Sequence, residues 1–426
     1  MARVVRIFKT LRNHWKKSTV GFCLLAYGSN WMYGKYCDNL LRRAACQEAQ
    51  VFGNQLIYPN TTAKKATVFL NPAACKGKAR TLFEKNVAPI LHLAGIDVYV
   101  VKTDYEGQAK QMLELMENTD LIIVAGGDGT LQEVITGLLR RADQASFSKI
   151  PIGFIPLGTT STISRTLYPQ SENKVQHISN ATLSILKGET MPLDVLQIKG
   201  EQEQPVFALS GLRWGSYRDA AEKSTKYWYL GPLKTRAAHL FSTLTWPQRH
   251  EASILFLGPT ERPPEEEAKG IQVRPPLYVR IYRRLAKYWS NPKVEVPVEV
   301  APEPWEEAQL SAVELSISTQ NHEPDLTRQM DSMSICIEPD TISKSEFISL
   351  GVEKTHNPQL CPKDAQILYV SHCNIQLPEG TAGHFSIDSE EYDAMSVEVT
   401  LLPRKLRFFC HPSQKERFTQ GSPAST

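Results

Sequence analysis

Gly126, Gly127, Asp128, Gly129 and Thr130 follow a run of five apolar residues, Leu121 to Ala125, and lead into a segment with helical spacing. Glycine loops between a strand and a helix usually hold phosphate. Without Cβ atoms the backbone comes close to the anion, and the first N–H groups of the helix point at it. A carboxylate in such a loop repels phosphate. Asp128 is tolerable there in two ways: it acts through Mg²⁺, or it takes a proton from an attacking hydroxyl. Either way the loop becomes a phosphoryl-transfer site. If Asp128 merely capped a helix at 130–141, the carboxylate would be explained, but three glycines would not.

The spacing excludes two better-known phosphate loops. No glycine closes a GxGxxG pattern at Leu131, and no Lys-Ser/Thr pair follows as in a Walker A loop. Zinc chemistry has no support either. The ten histidines show no HxxxH or HExxH spacing, and the eight cysteines form no CxxC pair. Cys37 and Cys46 could pair, but free thiols are expected, because a chain of 426 residues is too large to be a disulfide scaffold.

Regular alternation positions the loop. Segments 66–71, 96–101, 121–125 and 150–156 read as strands, and 79–95, 107–117, 130–141 and 173–188 as helices. Short connections between them predict a parallel sheet covered on both faces, with the loop at its carboxyl edge, where ligands bind. After Met191 the runs become short, β-branched and alternating, such as "LSAVELSIST" and "SVEVTLL", and clear helices are scarce. That texture predicts an antiparallel β-rich second domain, a sandwich or barrel. Pro and Glu crowd 258–270 and 291–307, which should be mobile. Between them, 277–289 has helical spacing, with Arg280, Arg283, Arg284 and Lys287 around an apolar face. It suits an anionic membrane surface or an ordinary solvated helix equally well. The expected division is a basic N-terminal segment at 1–60, an α/β domain at 61–190, a β-rich domain at 191–412 with a mobile insertion at 258–308, and a disordered tail at 413–426.

The hydrophobic fraction of 42% is ordinary for a globular protein, and the net charge of +3 argues neither for nor against nucleic acid, which is not expected as a partner. The distribution of charge says more. Arg3, Arg6, Lys9, Arg12, Lys16 and Lys17 stand in the first twenty residues without an acid. An apolar stretch, Val20 to Gly34, follows, but Gly28, Ser29 and Asn30 split it. It is too short and broken for a confident bilayer span. Its aromatic residues suit a membrane interface, and the whole start suits a mitochondrial address.

GGDGT (126–130) resembles the signature of the lipid kinases related to diacylglycerol and sphingosine kinases, and about residues 64–410 share the resemblance. It implies an α/β domain like that of NAD kinases, an antiparallel β-sandwich after it, and ATP bound in the cleft between. "NPAACKGKA" (71–79) is similar to the family's NP-loop, which implies nucleotide contact at Asn71. "KTDYEGQA" (102–109) implies the same of Thr103, and "PLGTT" (156–160) resembles the GT loop, which implies Gly158 and Thr159. With them go Gly126, Gly127, Gly129 and Thr130. "PLDVLQI" (192–198) resembles the segment whose Asp lies near the lipid head group, here Asp194. "SIDSEEY" (386–392) resembles the late DGE motif and implies roles for Asp388 and Glu390. Mg²⁺ is implied, with Asp128 and Asp388 as ligands. The base is Asp128 on the sphingosine kinase reading and Glu390 on the bacterial diacylglycerol kinase reading. Two departures stand out: Thr160, Ser161 and Thr162 where the family often reads Gly-Asn-Asp, and Ser389 in place of the DGE glycine.

The N-terminal stretch, 37–56 and the altered GT loop look like the family's mitochondrial member. That likeness implies phosphorylation of monoacylglycerol and diacylglycerol at the inner membrane, on its intermembrane-space side. It also implies a kinase-independent partnership with the inner-membrane translocase for carrier proteins. Two rival readings are a soluble NAD kinase, which uses a similar loop, and a membrane scaffold with a vestigial nucleotide site.

Overall fold

The structure, a computed structural model, describes residues 14–55, 63–116, 119–158, 161–201, 204–245, 249–261, 305–378 and 383–419. Its first part is a parallel sheet in the order β4-β3-β1-β2, made of β1 (Lys65–Leu70), β2 (Asp97–Lys102), β3 (Leu121–Gly126) and β4 (Ile152–Pro156). Every residue of β3 is buried, as a continuous apolar run demands. The register decides where the loops emerge. Leu70 lies opposite Lys102 and Ala125, and Gly126 opposite Pro156. Asn71, Thr103, Gly127 and Leu157 therefore leave the sheet along one edge.

Four helices matter for the site: α1 (Trp15–Gly53), α2 (Asp128–Arg140), α3 (Thr162–Leu167) and α4 (Lys174–Lys187). In α4 the Asn173 side chain accepts from the N–H groups of Val175 and Gln176, and Gly188 closes the helix in the left-handed region. The segment expected as one helix at 79–95 is two, Ala79–Asn86 and Ala88–Leu93. Pro89 is the reason, since it has no N–H to continue the ladder and its ring crowds the preceding turn. α1 runs through Gly28, Ser29 and Asn30, which interrupt its apolar stretch but not the helix. A glycine costs a helix interior only about 1 kcal/mol. The C-terminal half of α1 buries Ala45 and Ala49 against Ile90 and Leu183. Its N-terminal half leaves Phe22, Leu25, Trp31 and Tyr33 exposed. Among the described residues, no helix is long and apolar enough to cross a membrane.

The second part is antiparallel. Its strands of 4 residues or more are β5 (Thr190–Gly200), β6 (Gly211–Gly215), β7 (His250–Leu257), β8 (Glu306–Ser318), β9 (Met333–Pro339), β10 (Gln366–Val370), β11 (His372–Gln376), β12 (His384–Ile387), β13 (Glu390–Asp393) and β14 (Val397–Phe409). They run β13-β12-β6-β8-β7-β11-β14, with β9 and β10 added beyond β8 and β5 paired to β14. Phe408 of β14 meets Ile152 of β4 in parallel, so both parts share one hydrogen-bonded sheet.

Helices also stand where they were expected to be scarce: α5 (Ser216–Lys223), a 3₁₀ stretch (Ser224–Leu233), α6 (Lys234–Ser242) and α7 (Lys344–His356). The start of α7 carries a capping box, Ser343 with Glu346, which is readable in sequence. Residues 262–304, with the basic helix expected at 277–289, lie outside the described residues. The chain resumes early: β8 starts at Glu306, inside the stretch whose composition suggested mobility. Free thiols were also a wrong expectation in one case. Cys336 and Cys361 form a disulfide, while Cys37 and Cys46 are free.

Candidate active site

The glycine loop bridges the buried end of β3 and the start of α2. Gly126 accepts backbone hydrogen bonds from the N–H groups of Leu157 and Gly158, which ties it to the turn after β4. A Cβ on Gly126 would lie 2.7 Å from Thr130 Oγ1, closer than any side chain tolerates. The Thr130 hydroxyl in turn accepts from Asn71 Nδ2 at 3.0 Å. Thr103 is buried, and its N–H donates to the Leu70 carbonyl at 3.0 Å. Asn71, Thr103, the 126–130 loop and Gly158 are therefore brought together along the carboxyl edge of the sheet, as expected. Thr159 lies outside the described residues. Lys174, which sequence reasoning did not single out, reaches the same edge. Its Nζ lies 2.9 Å from Cys75 Sγ and 3.4 Å from the Leu157 carbonyl. Cys75 and Lys76 beside it hold left-handed φ values of 56°, a strained conformation for residues with side chains.

Asp128 does not cap its own helix. Gly127 is the N-cap of α2, and the Asp128 carboxylate crosses to α3, accepting from Ser161 Oγ at 2.6 Å and from the Thr162 N–H at 3.2 Å. Burial raises its pKa, opposed by those two donors and by Arg165. The two donors are two of the three residues that stand where the resemblance led to Gly-Asn-Asp.

The β-rich part supplies the opposite wall. Asp388 and Ser389 form the turn between β12 and β13 with positive φ of 47° and 75°. The Asp388 carboxylate accepts from the N–H groups of Leu209, Ser210 and Gly211 at 2.6, 2.8 and 3.1 Å. Burial, with Asp128 nearby adding repulsion, still pushes Asp388 up to about 6. Asp128 and Asp388 line one depression of about 100 Å³, whose rim includes Ser210, Arg213, Ser386 and Gln359. Arg213 is held there by two hydrogen bonds to the buried Glu314. Gln359 donates to the Ser210 carbonyl at 3.0 Å, and the Cys336–Cys361 disulfide ties its segment to β9.

Glu390 comes to the other side of the loop. A Cβ on Gly129 would fall 1.7 Å from Glu390 Oε1, so only glycine leaves room for this carboxyl. Burial raises Glu390 to about 7, and Glu106 and Glu133 add to the rise. Asp194 sits elsewhere. It accepts from the Arg404 N–H at 2.8 Å and from Arg328 at 3.2 Å. Arg404 holds a left-handed φ at the register shift of β14, so Asp194 staples a bulge and lines a different pocket from Asp128. Among the described residues, no three His, Cys, Asp or Glu side chains form a metal cluster.

Comparison with known proteins fits this geometry. Residues 65–198 match the diacylglycerol kinase catalytic domain, and 209–423 match the acylglycerol kinase C-terminal domain. The mitochondrial acylglycerol kinase of Xenopus laevis is 77% identical over 427 residues, spanning 100% of this chain and 99% of its own length. The chain belongs to the acylglycerol kinase family. The mitochondrial acylglycerol kinase of Homo sapiens is 68% identical over 411 residues, 96% of this chain and 97% of its own. A crystal structure of a diacylglycerol kinase from Bacillus anthracis shares the fold, with a TM-score of 0.51 at 18% identity over 83% of this chain and 99% of that one. As a member of the acylglycerol kinase family, the chain is an ATP-dependent lipid kinase and a mitochondrial protein.

Proposed function

We propose that the kinase transfers the γ-phosphoryl group of ATP to a hydroxyl of monoacylglycerol or diacylglycerol, giving lysophosphatidate or phosphatidate, with Asp128 as the base. The observation that carries this reading is the hydroxyl-rich depression that Asp128 shares with Asp388. A glycerol head group entering it would meet Asp128, and Glu390 does not line it. Geometry comes before pKa in choosing a base. The acceptor O–H gives its proton to the Asp128 carboxylate. Its oxygen bonds to the γ-phosphorus, and the bond to the β–γ bridging oxygen breaks to release ADP. Ser161 and Thr162 hold Asp128 in place and oppose the upward pull of burial on its pKa.

Asn71, Thr103, Gly127, Gly158 and, from the sequence, Thr159 would contact the nucleotide, with the N–H groups at the start of α2 facing its phosphates. Mg²⁺ would neutralise phosphate charge. The donors present fit it: Glu390 and Glu106 are neighbouring hard oxygen ligands, and a cation would relieve their mutual repulsion when both are ionised. Asp388 is already committed to three backbone N–H groups, so Glu390 is a better ligand than the Asp128–Asp388 pair first expected.

The Cys336–Cys361 disulfide favours an oxidising compartment, and with the exposed apolar half of α1 it supports a place on the inner membrane facing the intermembrane space. A second role as a carrier-translocase subunit rests on family likeness, and survival of translocase assembly in a Gly126→Glu variant would separate it from catalysis. The deciding experiment is a panel with labelled ATP and Mg²⁺: monoacylglycerol, diacylglycerol, sphingosine, ceramide and NAD. Product from the first two supports the reading, and product from NAD alone overturns it.

A further inference from the structure

One surface has no part in the cleft just described. Between Lys223 and Leu244 the chain carries Lys223, Lys226, Lys234 and Arg236, all exposed, and no Asp or Glu. The same stretch exposes large apolar side chains. Trp228 is 78% exposed and Leu244 81%, and Tyr229, Leu233, Leu240 and Phe241 are also exposed. They are not scattered. Tyr227 touches Phe241 and Tyr229, with ring centroids 5.2 and 6.4 Å apart, and Trp228 touches Tyr229 at 6.3 Å. The 3₁₀ stretch and α6 thus form one aromatic platform in a segment that also exposes four cations.

The platform has a firm base. Ala238, His239 and Ser242 form the buried face of α6. A Cβ on Gly351 of α7 would fall 2.0 Å from His239 Cδ2, so glycine there lets α6 seat closely. Behind it, Tyr217 stacks on Phe347 at 4.4 Å. Arg218 of α5 donates to Glu391 at 2.7 Å, in the strand that carries Glu390. The exposed apolar groups are therefore displayed on a braced scaffold joined to the cleft wall.

We propose that residues 223–244 dock the kinase on an anionic lipid bilayer beside its acceptor site. The surface reads as interfacial because aromatic and leucine side chains are exposed on the same short segment as four lysine and arginine side chains, with no acid among them. Charge selects the occupant. A second copy of this chain would set like charges face to face. The basic segment 277–289, with four Arg or Lys and no acid, would do the same. Anionic lipid neutralises the platform's cations instead, by about fivefold in affinity for each basic residue near the surface. This inference rests on the lipid-kinase reading for its purpose but not for its test.

The full-length chain is compared with Lys226→Glu/Lys234→Glu and with Trp228→Ser/Leu244→Ser. The first assay is co-sedimentation with phosphatidylcholine vesicles, with and without phosphatidylglycerol. The second is turnover on long-chain monoacylglycerol in those vesicles against a short-chain, water-dispersed monoacylglycerol. The charge variant should bind the anionic vesicles at least about tenfold more weakly and lose its preference for them over neutral ones. The apolar variant should bind both vesicle types more weakly. Both should lose vesicle turnover and keep short-chain turnover, which also shows that they fold. Wild-type sedimentation and vesicle turnover in both variants would overturn the proposal. So would unchanged vesicle binding with an altered oligomeric state, which would assign the surface to a second copy. If no acylglycerol is phosphorylated at all, the activity reading fails, and sedimentation alone still decides the docking surface.

Discussion

Asp128 stands in the glycine loop and Glu390 packs against it at Gly129, and the two carboxyls keep opposite company. Asp128 has two neutral donors, Ser161 and Thr162, and faces a depression lined by hydroxyls. Glu390 has two acids beside it, Glu106 and Glu133, and is pushed to about 7. A carboxylate held by neutral donors is fixed in its aim, and those donors oppose the rise that burial causes, which is what a base needs. A carboxyl crowded by other acids holds a proton until a cation arrives, which is what a metal ligand can use. The difference teaches that a shifted pKa alone does not identify the base. Glu390, raised to about 7, does not line the acceptor depression.

The strongest way to break the comparison is to remove the loop that both carboxylates share. Gly126→Glu puts a side chain against Thr130 and negative charge where ATP phosphates belong. Turnover should fall below detection, and labelled ATP should no longer bind. Normal ATP binding would show that the loop is not the phosphate site.

Glu390→Gln sharpens the contrast from the metal side. Turnover should fall by about tenfold at limiting Mg²⁺ and recover in part at high Mg²⁺, because a neutral amide is a weaker ligand for a hard cation. Stability should move the other way. The folded pKa of Glu390, about 7, lies above its ordinary 4.5, so the folded state holds the proton more tightly. That contribution is complete below the unfolded pKa and is lost as pH rises through about 7. In Mg²⁺-free buffer at about pH 8 the variant should melt above the parent, and the gap should close towards about pH 5. A variant that melts lower at both pH values would contradict this placement of Glu390.

A smaller catalytic effect is expected from the opposite wall. Cys361→Ser frees the segment that carries Gln359, loosening its bond to Ser210 and the amide cradle of Asp388. KM for the lipid should rise about threefold with kcat nearly unchanged, a loss of binding common to ground and transition states. Stability should fall by about 2–4 kcal/mol. Kinetics and a melting curve on the same sample check both.

What could be read in advance follows from how local each signal is. The β3-loop-α2 unit is contiguous, so five apolar residues, three glycines and a helical period were enough to place it. The partners of Asp128 stand 33 and 34 residues further on, and no spacing rule links them to it. They were visible only as a departure from the family's Gly-Asn-Asp. Asp194 was legible as a residue of interest, but its engagement depends on a bulge 210 residues away at Arg404. The Cys336–Cys361 bond likewise joins residues that only the fold brings together. At 8 residues α5 is short and polar and offers too little apolar sequence to stand out among strands, whereas the capping box of α7 was there to be read.

The role of Asp128 as base is tested most directly by Asp128→Asn, assayed by initial-rate phosphorylation of monoacylglycerol at saturating Mg²⁺-ATP beside a melting curve. Asparagine keeps the shape and can still accept one hydrogen bond from Ser161 or Thr162, but it cannot take a proton. Turnover should fall by about a hundredfold or more at every Mg²⁺ concentration, the usual scale for losing an acid–base group. The melting temperature should barely change. Near-normal turnover in Asp128→Asn, with a Mg²⁺-independent collapse in Glu390→Gln, would contradict the assignment and make Glu390 the base.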